Sequence, residues 1–237
     1  MIKWLEDAVF YEVYPQSFRD SNGDGIGDIP GITEKLEYIQ ELGCNALWIN
    51  PCFTSPFYDA GYDVEDYYSV APRYGTNEDL KKLFEAAHQR GMHVLLDLVP
   101  GHTAVTHPWF QESMKAEKNE YTDRYVWTDS LYKRMEDVKG IVSVLRGISP
   151  RPASCGVNCF STQPALNYGF ANITDAGWQQ PTDAPGPMAT REELKNIMRF
   201  WLTLGCDGFR VDMAGSLVKN DEDKKETIRL WQDVRAF

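Results

Sequence analysis

The stretch GFRVDMAG, residues 208–215, decides the fold. It reads as a buried strand that finishes on a cation and a carboxylate. Side chains alternate along a strand, so Arg210 and Asp212 lie on the same side of it. Ahead of it stands TREELKNIMRFWLTLG (190–205), with Leu194, Ile197, Met198, Trp201 and Leu202 on one helical face. Thr190 and Glu193 have the spacing of a capping box, and Gly205 is placed to end the helix. Helix, glycine and apolar strand thus form one unit.

The unit recurs upstream. ITEKLEYIQELG (32–43) reads as a helix stopped by Gly43, and CNALWINP (44–51) as its strand. TNEDLKKLFEAAHQRG (76–91) opens on the capping pair Thr76 and Asp79, buries Leu80, Leu83, Phe84 and Ala87, and stops at Gly91. MHVLLDLVP (92–100) follows as a strand. AVFYEVYP (8–15) adds a first strand, and DEDKKETIRLWQDVRAF (221–237) a further helix. Strands that are nearly all apolar are covered on both faces, which means a parallel α/β sheet wrapped by helices. Whether that sheet is open or closed does not follow from spacing. Residues 100–188 break the rhythm with Pro, Gly, Ser, Thr and aromatics, far beyond an ordinary strand-to-helix loop. They are expected to form a small inserted domain. The division is residues 1–99 for strands 1–3, 100–188 for the insert, and 189–237 for helix 3, strand 4 and helix 4.

The 237 residues are 43% hydrophobic, enough for a packed core and against disorder. A net charge of −11 argues against nucleic acid and anionic membranes as partners. No apolar run is long enough to span a bilayer. Glu6 and Asp7 interrupt any basic-then-apolar leader in MIKWLEDAVFYEV, so a cytoplasmic location is expected. Cys44, Cys52 and Cys206 read as thiols at apolar strands, Cys44 and Cys206 as buried ones. Cys155 and Cys159 in CGVNC have no nearby histidine, which makes loop cysteines the better reading than zinc.

Polar groups gather where strands end, the place of ligand sites in parallel α/β folds. Asp97 closes HVLLDLV and His102 follows it. An arginine beside a carboxylate keeps it ionised, which suits a nucleophile or a charge stabiliser. A structural ion pair between Arg210 and Asp212 accounts for the same residues equally well. DSNGDGIGD (20–28) alternates oxygens at Asp20, Asn22, Asp24 and Asp28 with small residues, and the Ile26 carbonyl is able to join them. That suits calcium better than a plain acidic turn, although Gly31 holds the twelfth position where an EF-hand needs Glu. AGYDVEDYY (60–68) joins aromatic faces to carboxylates, the combination that sugar rings need. Trp48, Phe53, Phe57, Trp109 and Trp127 add aromatic surface, each one better read as core than as platform.

These motifs carry a resemblance. VFYEVYPQSF, DSNGDGIGD, GYDVEDYY with RYGT, DLVPGHT with HPWF, QPALN and GFRVD stand in order along nearly the whole chain. Together they resemble the α-amylase family of retaining glycosidases, glycoside hydrolase family 13, and within it the oligosaccharide-acting α-glucosidases and small amylases. The resemblance implies the amino-terminal half of a (β/α)8 TIM barrel, strands 1–4, with a small domain inserted after strand 3. It implies Asp212 as nucleophile and Arg210 as the residue that keeps it ionised. Tyr62 is implied as the sugar platform, Asp63 and His102 as binding residues, and Asp97 as support beneath the site. Asp20, Asn22, Asp24, Ile26 and Asp28 are implied as a calcium loop. The expected substrate is an α-glucan or α-glucoside of the starch type. Gly101 and Ala165 depart from the Asn and Asp usual in those motifs, which weighs against a second metal site near the insert.

Retention needs two carboxyl groups about 5–5.5 Å apart. No Glu stands at an apolar strand end after Asp212. The 237 residues are therefore expected to carry the nucleophile without its acid partner and to be inactive alone. An open half barrel is also expected to self-associate through its exposed edge. The alternative is a non-enzymatic relative that binds sugar or a protein partner.

Overall fold

A computed structural model describes residues 2–133 and 140–237 of the chain. Its strands are β1 (Phe10–Val13), β2 (Ala46–Ile49), β3 (Phe53–Thr54), β4 (Asp66–Val70), β5 (His93–Leu98), β6 (Ser143–Leu145), β7 (Cys155–Val157) and β8 (Gly208–Val211). The helices are α1 (Pro15–Phe18), α2 (Ile29–Glu34), α3 (Leu36–Glu41), α4 (Asn77–Gln89), α5 (Pro108–Ser113), α6 (Pro185–Leu204) and α7 (Lys225–Ala236).

The chain divides into two compact units. The first comprises Met1–Ser55, Asp66–Leu98 and Ile197–Val211. It holds a parallel sheet in the order β1-β2-β5-β8, the arrangement expected of the first four strands of a β/α barrel. Leu47, Ile49, Val94, Leu96 and Leu98 are fully buried in it. Ile29 and Ile32 of α2 and Leu36 and Ile39 of α3 are fully buried, α2 packs against α4, and α4 buries Leu80, Leu83, Phe84 and Ala87 and packs on β5. Trp201 is fully buried, stacks on Phe53 at 5.0 Å and donates its indole N–H to the Tyr67 carbonyl.

The second unit comprises Pro56–Glu65, Val99–Asn196 and Asp212–Phe237. The expected insert, 100–188, falls inside it. The unit also recruits two segments that sequence order assigned elsewhere. The Ala104 N–H donates to the Val64 carbonyl, and the Ala171 N–H donates to Lys219. Those bonds attach residues 56–65 and the chain after Asp212 to the insert rather than to the sheet.

Two helix expectations are corrected. The segment 32–42 is two short helices, because Lys35 leaves the helical region between α2 and α3. Helix α6 begins at Pro185, one turn and more before Thr190. Thr190 is therefore interior, and its hydroxyl bonds back to the Gly186 carbonyl instead of capping. The Thr76–Asp79 capping box of α4 forms as expected. Gly43, Gly91 and Gly205 adopt φ of +87°, +70° and +117° at their helix ends. Among the described residues no helix is long and apolar enough to cross a membrane. All five cysteines are free thiols. Cys44 is only half-buried where a buried thiol was expected, and Cys155 lies in β7 rather than in a loop.

Candidate active site

In the sheet unit, Asp97 sits near the carboxyl end of β5, paired in register with Arg210 of β8. Its side chain is wholly buried, where an isolated charge would be prohibitively costly. Three contacts compensate. The Trp48 indole donates to Oδ2 at 2.9 Å, and the Arg210 guanidinium donates to both oxygens at 3.1 and 3.2 Å. The guanidinium also lies 4.7 Å over the Trp48 ring, a cation–π contact that fixes its plane. Burial first, and then the Asp97 charge, push the Cys52 thiol up to about 12, so it stays protonated. Asp97 is thus held by the Trp48 indole and the Arg210 guanidinium, and the Trp48 ring is covered by that guanidinium.

In the second unit, the turn at 57–61 is conformationally unusual. Phe57, Ala60 and Gly61 have φ of +61°, +53° and +103°. The two non-glycine residues cost roughly 1 kcal/mol or more each in this region. Asp63 holds the turn closed, accepting from the Tyr58 N–H at 2.8 Å and the Asp59 N–H at 3.1 Å. It is 0% exposed. The oxygens of Asp63, expected as a sugar-binding residue, accept from backbone amides inside the protein. The carboxylate that the turn presents is Asp59, half-buried and held by the Gln163 amide at 2.6 Å. Sequence reading missed Asp59 and Gln163. The signal available was Asp59 three residues before Tyr62, flanked by the Gly61 turn.

Tyr62 is half-buried, and its carbonyl accepts from His102 Nε2 at 3.0 Å. A carbonyl only accepts, so Nε2 carries the proton. Burial above all, with Lys219 adding to it, pulls the His102 pKa down to about 4, leaving the ring neutral near pH 7. Asp212 is half-buried and leads into a tight turn with Met213 at φ +48°. Burial raises the Cys159 thiol's pKa first, then the charges of Asp212 and Asp59. Trp109 faces Arg124 at 5.1 Å, and Trp127 lies between Phe110 and Arg151, so neither ring is an open platform.

The 20–28 loop curls as its glycines allow, with Gly23 and Gly25 at φ +84° and +89°. Asp20 accepts from the Gly23 and Gly25 amides, Asn22 from Asp24, and Asp24 from Ile26. Asp28 caps α2 through Gly31 and accepts from Ser21. The donor set fits a hard cation in kind. Among the described residues, however, no three His, Cys, Asp or Glu side chains stand together as a metal site. The loop is closed on its own amides.

The parallel sheet in the order β1-β2-β5-β8 defines the fold as the α/β type of barrel proteins. The model of the α-amylase catalytic domain matches residues 12–234, and the chain belongs to that family. It is 38% identical over 219 residues to an oligo-1,6-glucosidase of Bacillus sp. (strain F5), covering 92% of this chain and 40% of that protein. It is 41% identical over 231 residues to a trehalose synthase/amylase of Mycolicibacterium smegmatis, covering 95% and 36%. Among solved structures it resembles a mutant isomaltulose synthase from Erwinia rhapontici NX5 in complex with sucrose. That match has a TM-score of 0.75 and 35% identity, covering 90% of this chain and 36% of the other. The chain thus spans about two fifths of the length of these relatives.

Proposed function

We propose that the chain carries the nucleophile and part of the sugar-binding surface of an enzyme that hydrolyses or transfers α-glucosidic bonds with retention. The observation behind this reading is the gathering of Asp212, Asp59, Tyr62, Gln163 and His102 within one compact unit. Asp212 attacks the anomeric carbon, and the leaving oxygen takes its proton from a second carboxyl group. The Tyr62 ring packs on the apolar face of the sugar, and Asp59 accepts from its hydroxyls. A neutral His102 adds no charge that would oppose the positive charge developing on the ring. Support for the substrate class comes from relatives named for oligo-1,6-glucosides and trehalose.

The 237 residues hold no strand-end Glu after Asp212. They are read as binding α-glucosides without turning them over. The second reading is a sugar-binding relative with no chemistry of its own. Calorimetric titration with maltose and assay with nitrophenyl α-glucoside test the proposal. Maltose binding with no nitrophenol release is expected. Release that vanishes in Asp212→Asn would overturn the claim of inactivity, and failure to bind maltose would overturn the glucoside reading.

The 20–28 loop is proposed to take calcium through Asp20, Asn22, Asp24, Asp28 and the Ile26 carbonyl. Alternating oxygens and two left-handed glycines support this. The ion's contribution would be to hold the loop, with no part in bond cleavage.

A further inference from the structure

Gly101 is buried directly ahead of His102 and has no side chain. The space a side chain would take is not empty. A Cβ built on Gly101 would stand 2.8 Å from the amide nitrogen of Asn158. Asn158 is buried, and its Nδ2 donates to the Gly101 carbonyl. Its Oδ1 accepts from the Lys219 ammonium at 2.7 Å. The ammonium cannot accept and the carbonyl cannot donate, which sets the orientation of the Asn158 amide.

Lys219 is 4% exposed, and its Nζ also donates to the Ser216 carbonyl at 3.0 Å. Ser216 belongs to the turn after Asp212 and bonds back to the Met213 carbonyl at 2.8 Å. The order Ser216, Lys219, Asn158, Gly101 therefore runs unbroken from the loop that carries Asp212 to the turn that carries His102. Every member lies in the second unit. A buried ammonium is costly, and neutral oxygens of the chain are what it meets here.

We propose that Asn158 and Lys219 are a positioning pair, in which the Asn158 amide replaces a side chain at position 101 and Lys219 locks the Asp212 loop to the His102 turn. Neither residue touches the sugar. Both act on groups that do, so the functional part rests on the glucoside reading, whereas the pairing itself does not. Burial lowers the Lys219 pKa to about 8, and its charge opposes protonation of His102.

The pairing predicts a reciprocal exchange. Gly101→Asn collides with Asn158, and Asn158→Gly strips Lys219 of its side-chain acceptor and leaves it the Ser216 carbonyl. Gly101→Asn combined with Asn158→Gly restores one amide to the space. The test is thermal unfolding of the 237-residue chain with each change and with both. Two lowered midpoints and recovery of most of the loss in the double variant are expected. Losses that simply add overturn the pairing. Positioning is read by 15N NMR of the His102 ring. Lys219→Met is expected to move its titration upward, and a ring that titrates as in the parent chain overturns that role. Should Lys219→Met not fold, Asn158→Leu carries the same reading: it cuts the ammonium off from Gly101, and an unmoved His102 ring signal overturns the role as well. Recovery in the double variant together with absence of maltose binding would support the pair while refuting the glucoside reading.

Discussion

Asp63 and Asp59 sit four residues apart and do different things. Asp63 is sealed inside and braces a turn with two left-handed non-glycine residues. Asp59 is half-buried and accepts from the buried Gln163 amide. Asp63→Ala leaves two amides without their acceptor in a strained turn, and should lower stability by about 3 kcal/mol in denaturant unfolding. His102 sets a pH dependence. Its folded pKa, about 4, lies below the usual value for histidine, so the unfolded chain binds the proton more readily. Stability from this group is full above about pH 6.5 and falls as pH drops toward 4. The loss amounts to about 3 kcal/mol. His102→Gln should flatten that slope in unfolding midpoints measured from pH 7 to 4. Such residue-level roles were half legible in the sequence. Asp97 and His102 could be picked out as polar groups near a strand end, and Tyr62 as an aromatic beside carboxylates in AGYDVEDYY. Which of two nearby aspartates turns inward could not, because it depends on the backbone twist at Phe57 and Ala60.

At the scale of elements, local chemistry wins where it is complete. Thr76 and Asp79 satisfy each other's end of α4, and that helix starts where its spacing says. Thr76→Ala should cost about 1 kcal/mol, read as a shift in the denaturant midpoint with unchanged slope. Thr190 and Glu193 have the same spacing but lie inside α6, which begins at Pro185. Proline at a first helical position has no N–H to lose, and that start signal overrode the later one. The apolar strands and their glycine stops were fully legible, since alternation, burial and the left-handed turn are local properties. The hub at Asp207 was not. It accepts from the Val94 amide at 2.8 Å and meets His88 and His93 at 2.8 and 2.9 Å, partners over a hundred residues away.

At the scale of the molecule, the order of motifs defined the family, and the comparisons bear out both the family and the β/α fold. The extent of the second unit was harder to read. Residues 56–65 and 212–237 join the insert through backbone bonds that no composition shift announces. The calcium proposal belongs at this scale too. Calcium at a hundred times its dissociation constant should stabilise the chain by about 2.7 kcal/mol, and chelation should remove that gain in a melting experiment. The central claim is that Asp212 is a nucleophile toward an α-glucosyl carbon. Fluoride leaves without help from an acid, so 5-fluoro-α-glucosyl fluoride isolates the attack of Asp212 from proton donation to the leaving group. Intact-mass and peptide analysis should find one fluoroglucosyl ester on Asp212, absent in Asp212→Asn. A chain that stays unlabelled, or carries the label on another residue, would contradict the account.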